Sequence, residues 1–143
     1  EKVQVPGDLL TMRVLGWEDA VLAVIERHRA LPYAAGEADC FVLCMDAIEA
    51  MTGTRPYADV RYRSDRGALR QLARRGFARL GDAIGALYPE RPRGLARRGD
   101  IAVLTSDRGD TLGLVWGGVV ICRIGNEIGQ AALSSARIVY AID

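Results

Sequence analysis

The chain has 143 residues, 50% of them hydrophobic and 26% charged, which is enough for one core and too few for two ordinary domains. No uninterrupted apolar run reaches the ~18 residues that a membrane span needs, and residues 1–10 lack the charged-then-apolar layout of a secretory signal. The expectation is therefore one soluble domain over 1–143, made in the cytoplasm, with 1–14 as an extended arm. Three cysteines cannot all pair within one chain, so free thiols are expected. The net charge of +1 hides a split, because residues 61–98 hold 11 arginines against Asp65, Asp82 and Glu90, a local +8 that leaves −7 for the rest.

Apolar residues at 17, 21, 24 and 25, with Glu18, Asp19 and Glu26 between them, predict a first amphipathic helix from Trp17 to Leu31, stopped by Pro32. Asp39 stands where an N-cap belongs, and Cys40 to Met51 continues with helical spacing until Thr52 and Gly53 close it. Ser64 caps a third helix that runs to Arg75. A short fourth from Leu80 to Leu87 is weakened by Gly81 and Gly85. After Pro89 and Pro92 the pattern changes to β-rich runs, Ile101 to Thr105, Leu112 to Trp116, Val119 to Arg123 and Arg137 to Ala141, separated by turn residues such as Gly117-Gly118 and Gly125-Asn126. Helices first and strands second predict an α+β domain, its N-terminal helices packed on a C-terminal antiparallel β-meander.

A cysteine in the first turn of a helix meets free backbone N–H groups and the positive end of the helix dipole, which favour thiolate and lower the pKa. Cys40 has that place, although Cys40, Cys44, Ala47 and Met51 also read as a buried stripe in which cysteine is a small apolar residue. The one histidine, His28, falls near the end of the first helix, where the dipole favours its charged form, and is assigned a structural role. Cys40, Cys44, Cys122 and His28 match no familiar zinc spacing, so neither a metal nor another cofactor is expected. The basic segment interleaves few aromatics, only Tyr62, Phe77 and Tyr88, which argues against nucleic-acid binding.

The run Pro32-Tyr33-Ala34-Ala35-Gly36-Glu37-Ala38-Asp39-Cys40 resembles the entry to the catalytic helix of NlpC-type peptidases. Arg98-Gly99-Asp100-Ile101-Ala102-Val103-Leu104 resembles the Gly-Asp strand of that superfamily. Thr111-Leu112-Gly113-Leu114-Val115-Trp116-Gly117 resembles its next strand, which normally begins with the catalytic histidine. The resemblance implies a papain-like fold in which Cys40 occupies the nucleophile position and Thr111 replaces the histidine base, facing the cysteine. A threonine hydroxyl cannot hold a thiolate as an ion pair or protonate a leaving amine near neutral pH, so the chemistry is expected to be lost.

Arg61 to Ser64 and Ala96 to Asp100 further resemble segments of small proteins encoded in phage and prophage tail clusters. That likeness implies a component of the virion at the tail tip, with hub or other tail-tip proteins as partners, and neither nucleic acid nor membrane insertion. Arg66, Arg70, Arg74 and Arg79 are its expected docking face. The alternative is an active cysteine peptidase or amidase acting on peptidoglycan during phage entry, its base supplied by another chain.

Overall fold

A computed structural model describes residues 13–143, so the arm expected over 1–14 lies outside the described residues except for Arg13 and Val14. Those two lie on the domain: the Val14 N–H donates to the Met51 carbonyl at 2.7 Å. Four helices come first, α1 (Trp17–Arg29), α2 (Cys40–Thr52), α3 (Asp65–Arg74) and α4 (Leu80–Gly85). Six strands follow, β1 (Glu90–Arg91), β2 (Ile101–Ser106), β3 (Gly109–Trp116), β4 (Val119–Ile124), β5 (Glu127–Ala132) and β6 (Ile138–Tyr140). The domain is thus α+β, with helices preceding one antiparallel sheet. No helix among the described residues is long and apolar enough to cross a membrane.

The helices form where the sequence places their caps and apolar stripes. In α1, Val21, Val24, Ile25 and His28 share the buried face. In α2, Asp39 accepts from the Val42 N–H at 2.8 Å, Gly53 leaves the helix at φ 82°, and Leu43, Cys44, Met45, Ala47, Ile48 and Met51 are buried between. Each large apolar side chain hidden in this way contributes ~2 kcal/mol. α3 differs: Ser64 caps it by accepting from Gly67 N–H at 3.0 Å, yet none of its residues is fully buried.

The sheet order is β1-β6-β2-β3-β4-β5, so the expected four-stranded meander is corrected. β2 to β5 do run as a meander, but β5 was not expected. β6 crosses back to pair with β2, where Ile101 faces Tyr140 and Val103 faces Ile138. The pleat divides the residues between two faces. Ile101, Val103, Leu112, Leu114 and Ile121 pack under α1 and α2, while Ala102, Leu104, Val115, Val120 and Cys122 form a second cluster on the outer face with Ala136 and Val139. One buried cation joins the layers: the Arg123 guanidinium donates to the carbonyls of His28 at 2.9 Å and Leu31 at 3.2 Å, at the C-terminal end of α1.

Candidate functional site

Cys40 opens α2 with its sulfur against β3, where the Leu112 backbone N–H acts on it. The residue is partly exposed, but protein packs closely around the thiol. Burial pushes that thiol up to about 11, only partly offset by the Leu112 N–H, and the Asp39 carboxylate adds to the rise. The lowering expected from the helix dipole is therefore corrected. A dipole is worth about 1 kcal/mol at a helix end, whereas burial shifts a thiol by up to several pKa units, and the larger effect wins. Cys44, one turn on, is fully buried and its thiol is raised further by the same cause. Cys122 lies on the outer face of the sheet, in the other cluster.

Thr111 does not face Cys40. It is paired across the sheet with Leu104, and residues directly opposite in an antiparallel pair share a face. Leu104 belongs to the outer cluster, and the Thr111 hydroxyl is accordingly 3.4 Å from Ser106 Oγ. The inward positions on either side of Thr111 are Leu112 and Asp110. Asp110 caps α4 by accepting from the Gly81 N–H at 2.9 Å and pairs with Arg137 at 3.1 Å. The expectation that residue 111 looks at the nucleophile position fails because a one-residue step along a strand reverses the side chain.

His28 is also engaged elsewhere. It is buried on α1, and its Nε2 lies 2.7 Å from Asp46 Oδ2 of α2, an acid also reached by Arg55 at 2.5 Å and Arg27 at 3.1 Å. Burial alone would raise the Asp46 pKa, but the hydrogen bonds from His28, Arg55 and Arg27 outweigh it and lower the carboxyl to about 2. His28 is thus part of the ionic clasp between the first two helices.

The polar groups that do gather at Cys40 are Asp39 and two tyrosines. Asp39 Oδ2 accepts from the Tyr62 hydroxyl at 2.6 Å and from the Gly36 N–H at 2.8 Å, while Oδ1 caps the helix. Burial first, and the Asp39 charge second, hold the Tyr62 phenol far above its ordinary value. The Tyr33 hydroxyl donates to Asp65 and its N–H donates to Asn126 Oδ1 at 3.0 Å. Sequence reasoning missed Tyr62, although its place inside Arg61 to Ser64 was the available signal. The Gly-Asp segment proves architectural. Gly99 turns at φ +88°, where a Cβ would sit 2.6 Å from Met51 Sδ, and the buried Asp100 accepts from Arg97 N–H at 2.8 Å and pairs with Arg13 at 3.3 Å.

Of the expected docking arginines, all exposed, Arg70 and Arg74 line one groove of about 280 Å³ together with Arg61 and Arg63. Arg66 and Arg79 do not line it. Tyr62 forms part of the wall, so the groove begins beside the N-terminus of α2.

The fold and these positions belong to a family known by its sequence: the model for Domain of unknown function (DUF6950) matches residues 12–142, and the chain is a member of that family. No curated protein matches it.

Proposed function

We propose that this chain is a papain-like domain of the NlpC type that lacks a catalytic base and works as a structural component of a phage tail tip, held by contacts with hub or other tip proteins. The fold part of this reading is supported by the order of elements. A cysteine with an aspartate N-cap opens the central helix, that helix packs on β3, the second strand after the Gly-Asp turn, and the sheet is antiparallel throughout. The observation that carries the functional part is the lack of an imidazole at Cys40. The one histidine of the chain is buried against Asp46, and position 111 lies on the opposite face of the sheet. A buried thiol with no base to deprotonate it is a poor nucleophile. The tail-tip place is supported by the Arg61 to Ser64 and Ala96 to Asp100 segments and by the charge split, which suits docking on an acidic neighbour.

The test is quantitative mass spectrometry of purified virions together with infection assays. The protein should be present in tails, Cys40→Ala phage should assemble and infect normally, and the isolated protein should leave peptidoglycan fragments intact. Absence from the virion refutes the place. Turnover of peptidoglycan that disappears in Cys40→Ala refutes the loss of chemistry and establishes the hydrolase instead.

A further inference from the structure

We propose that the groove between residues 61–64 and α3 binds an extended acidic segment of a partner protein, with successive carboxylates held by Arg70 and Arg74. This deepens the docking reading above by naming the surface and the chemistry of the partner.

The first ground is charge left without a partner. Nine arginines among the described residues form ion pairs with carboxylates. Among the same residues, Arg63, Arg66, Arg70 and Arg74 form none. Arg66, Arg70 and Arg74 follow one another at four-residue steps, so like charges stack along one side of α3 and repel by a few tenths of a kcal/mol per pair. The one acid in the helix, Asp65, is taken by the Tyr33 hydroxyl. α3 buries no residue fully, and Leu69, beside this ladder, is 65% exposed. A helix arranged in this way gains little from its own domain and presents cations with an apolar residue among them.

The second ground is a fixed wall. Gln71 Nε2 donates to the Arg61 carbonyl at 3.1 Å, Tyr62 is tied to Asp39, and Arg61 donates to the carbonyls of Ala58 at 2.7 Å and Val60 at 2.9 Å. The wall itself therefore needs little ordering on binding, which favours affinity. The third ground is spacing. Residues four apart on a helix are ~6 Å apart along its axis, close to the ~6.6 Å between alternate residues on one face of an extended strand. An acidic residue at every second position therefore matches Arg70 and Arg74, and guanidinium takes carboxylate in a bidentate fork. Nucleic acid fits less well, because it needs aromatic faces for its bases. The Tyr62 ring is packed 6.3 Å from Phe41 with its hydroxyl on Asp39, and no other aromatic lines the groove.

The experiment uses a fluorescein-labelled peptide of alternating glutamate and glycine, read by anisotropy at low ionic strength, with inorganic phosphate and single-stranded DNA as competitors. Arg70→Glu/Arg74→Glu should weaken binding by about tenfold or more, whereas the charge-matched Arg29→Glu/Arg108→Glu should stay within about twofold. Circular dichroism checks the fold, and Arg70→Gln/Arg74→Gln, which keeps helix-forming residues, decides the matter should the reversed pair unfold. Absence of saturable binding, equal loss in the control pair, or stronger competition by phosphate or DNA than by unlabelled peptide would each overturn the proposal. The outcome is separable from the virion test: a peptide that fails to bind removes the groove and leaves the tail-tip place standing, and the reverse also holds.

Discussion

The reactivity of Cys40 can be worked out from its surroundings. With the thiol at about 11 instead of the ordinary 9.0, the thiolate fraction at neutral pH falls by about two powers of ten. A more basic thiolate is also a better nucleophile, with a Brønsted slope of ~0.4–0.5, and that returns nearly a factor of ten. The net expectation is alkylation by iodoacetamide roughly ten to fifteen times slower than an unperturbed thiol at the same pH. Intact-mass measurement of the native protein follows Cys40 alone, because Cys44 and Cys122 are 0% and 2% exposed. The rate should rise about tenfold per pH unit from neutral to about pH 10 with no acid plateau, the signature of a thiol without an imidazolium partner. Thr111→His should leave that profile unchanged, since position 111 points to the outer face. A plateau below about pH 7 in the natural protein would refute the absence of a base, and one appearing only in Thr111→His would refute the assignment of faces.

Two further predictions concern the scaffold. Asp46 titrates near 2 in the fold against an ordinary 3.8, a gap worth ~2.5 kcal/mol, and its side chain is 16% exposed. Because the folded pKa is the lower one, that stability is present above about pH 4 and disappears as pH falls through 2. Urea unfolding should show Asp46→Asn losing about 2 kcal/mol at neutral pH and little at pH 2, whereas a constant difference across that range would rule out the ionic clasp. Gly36 stands at φ +80°, and a Cβ there would be 2.0 Å from the Tyr62 carbonyl, while Gly53 at φ +82° has nothing within 4 Å. Gly53→Ala should therefore cost only the backbone strain of ~1–2 kcal/mol, and Gly36→Ala ~3 kcal/mol or more. Equal thermal shifts for the two would show that the close approach does not matter.

The helical half was legible because its signals are local. Asp39 and Ser64 are caps that act three residues ahead, and the stripes of α1 and α2 repeat at helical spacing. β5 was not legible, since Glu127-Ile128-Gly129-Gln130-Ala131-Ala132 lacks the β-branched run that marked its neighbours and is held as an edge strand by its pairing with β4. The placement of β6 beside β2 depends on a crossover that no short-range pattern encodes. At the site, the position of Cys40 was readable from its cap, but its pKa was not, because burial is a property of the packed whole. The same holds for the His28–Asp46 and Arg123–His28 contacts, which span 18 and 95 residues.

Asp39 shows how an aspartate beside a helix-opening cysteine serves the fold. Its carboxylate receives the Val42 N–H, the Gly36 N–H and the Tyr62 hydroxyl, so both oxygens are committed to capping α2 and closing the loop that leads into it. Tyr62 is then fixed at three points: its hydroxyl on Asp39, its carbonyl against Gly36 and its ring near Phe41. The backbone that carries Tyr62 also carries Arg61 and Arg63, and it forms the wall of the arginine groove. Each link is short and buried or half-buried, so the Pro32–Cys40 entry and the basic groove form one connected structure. The aspartate at the head of the central helix thus has a structural task, and the position of Arg61 and Arg63 follows from the same carboxylate.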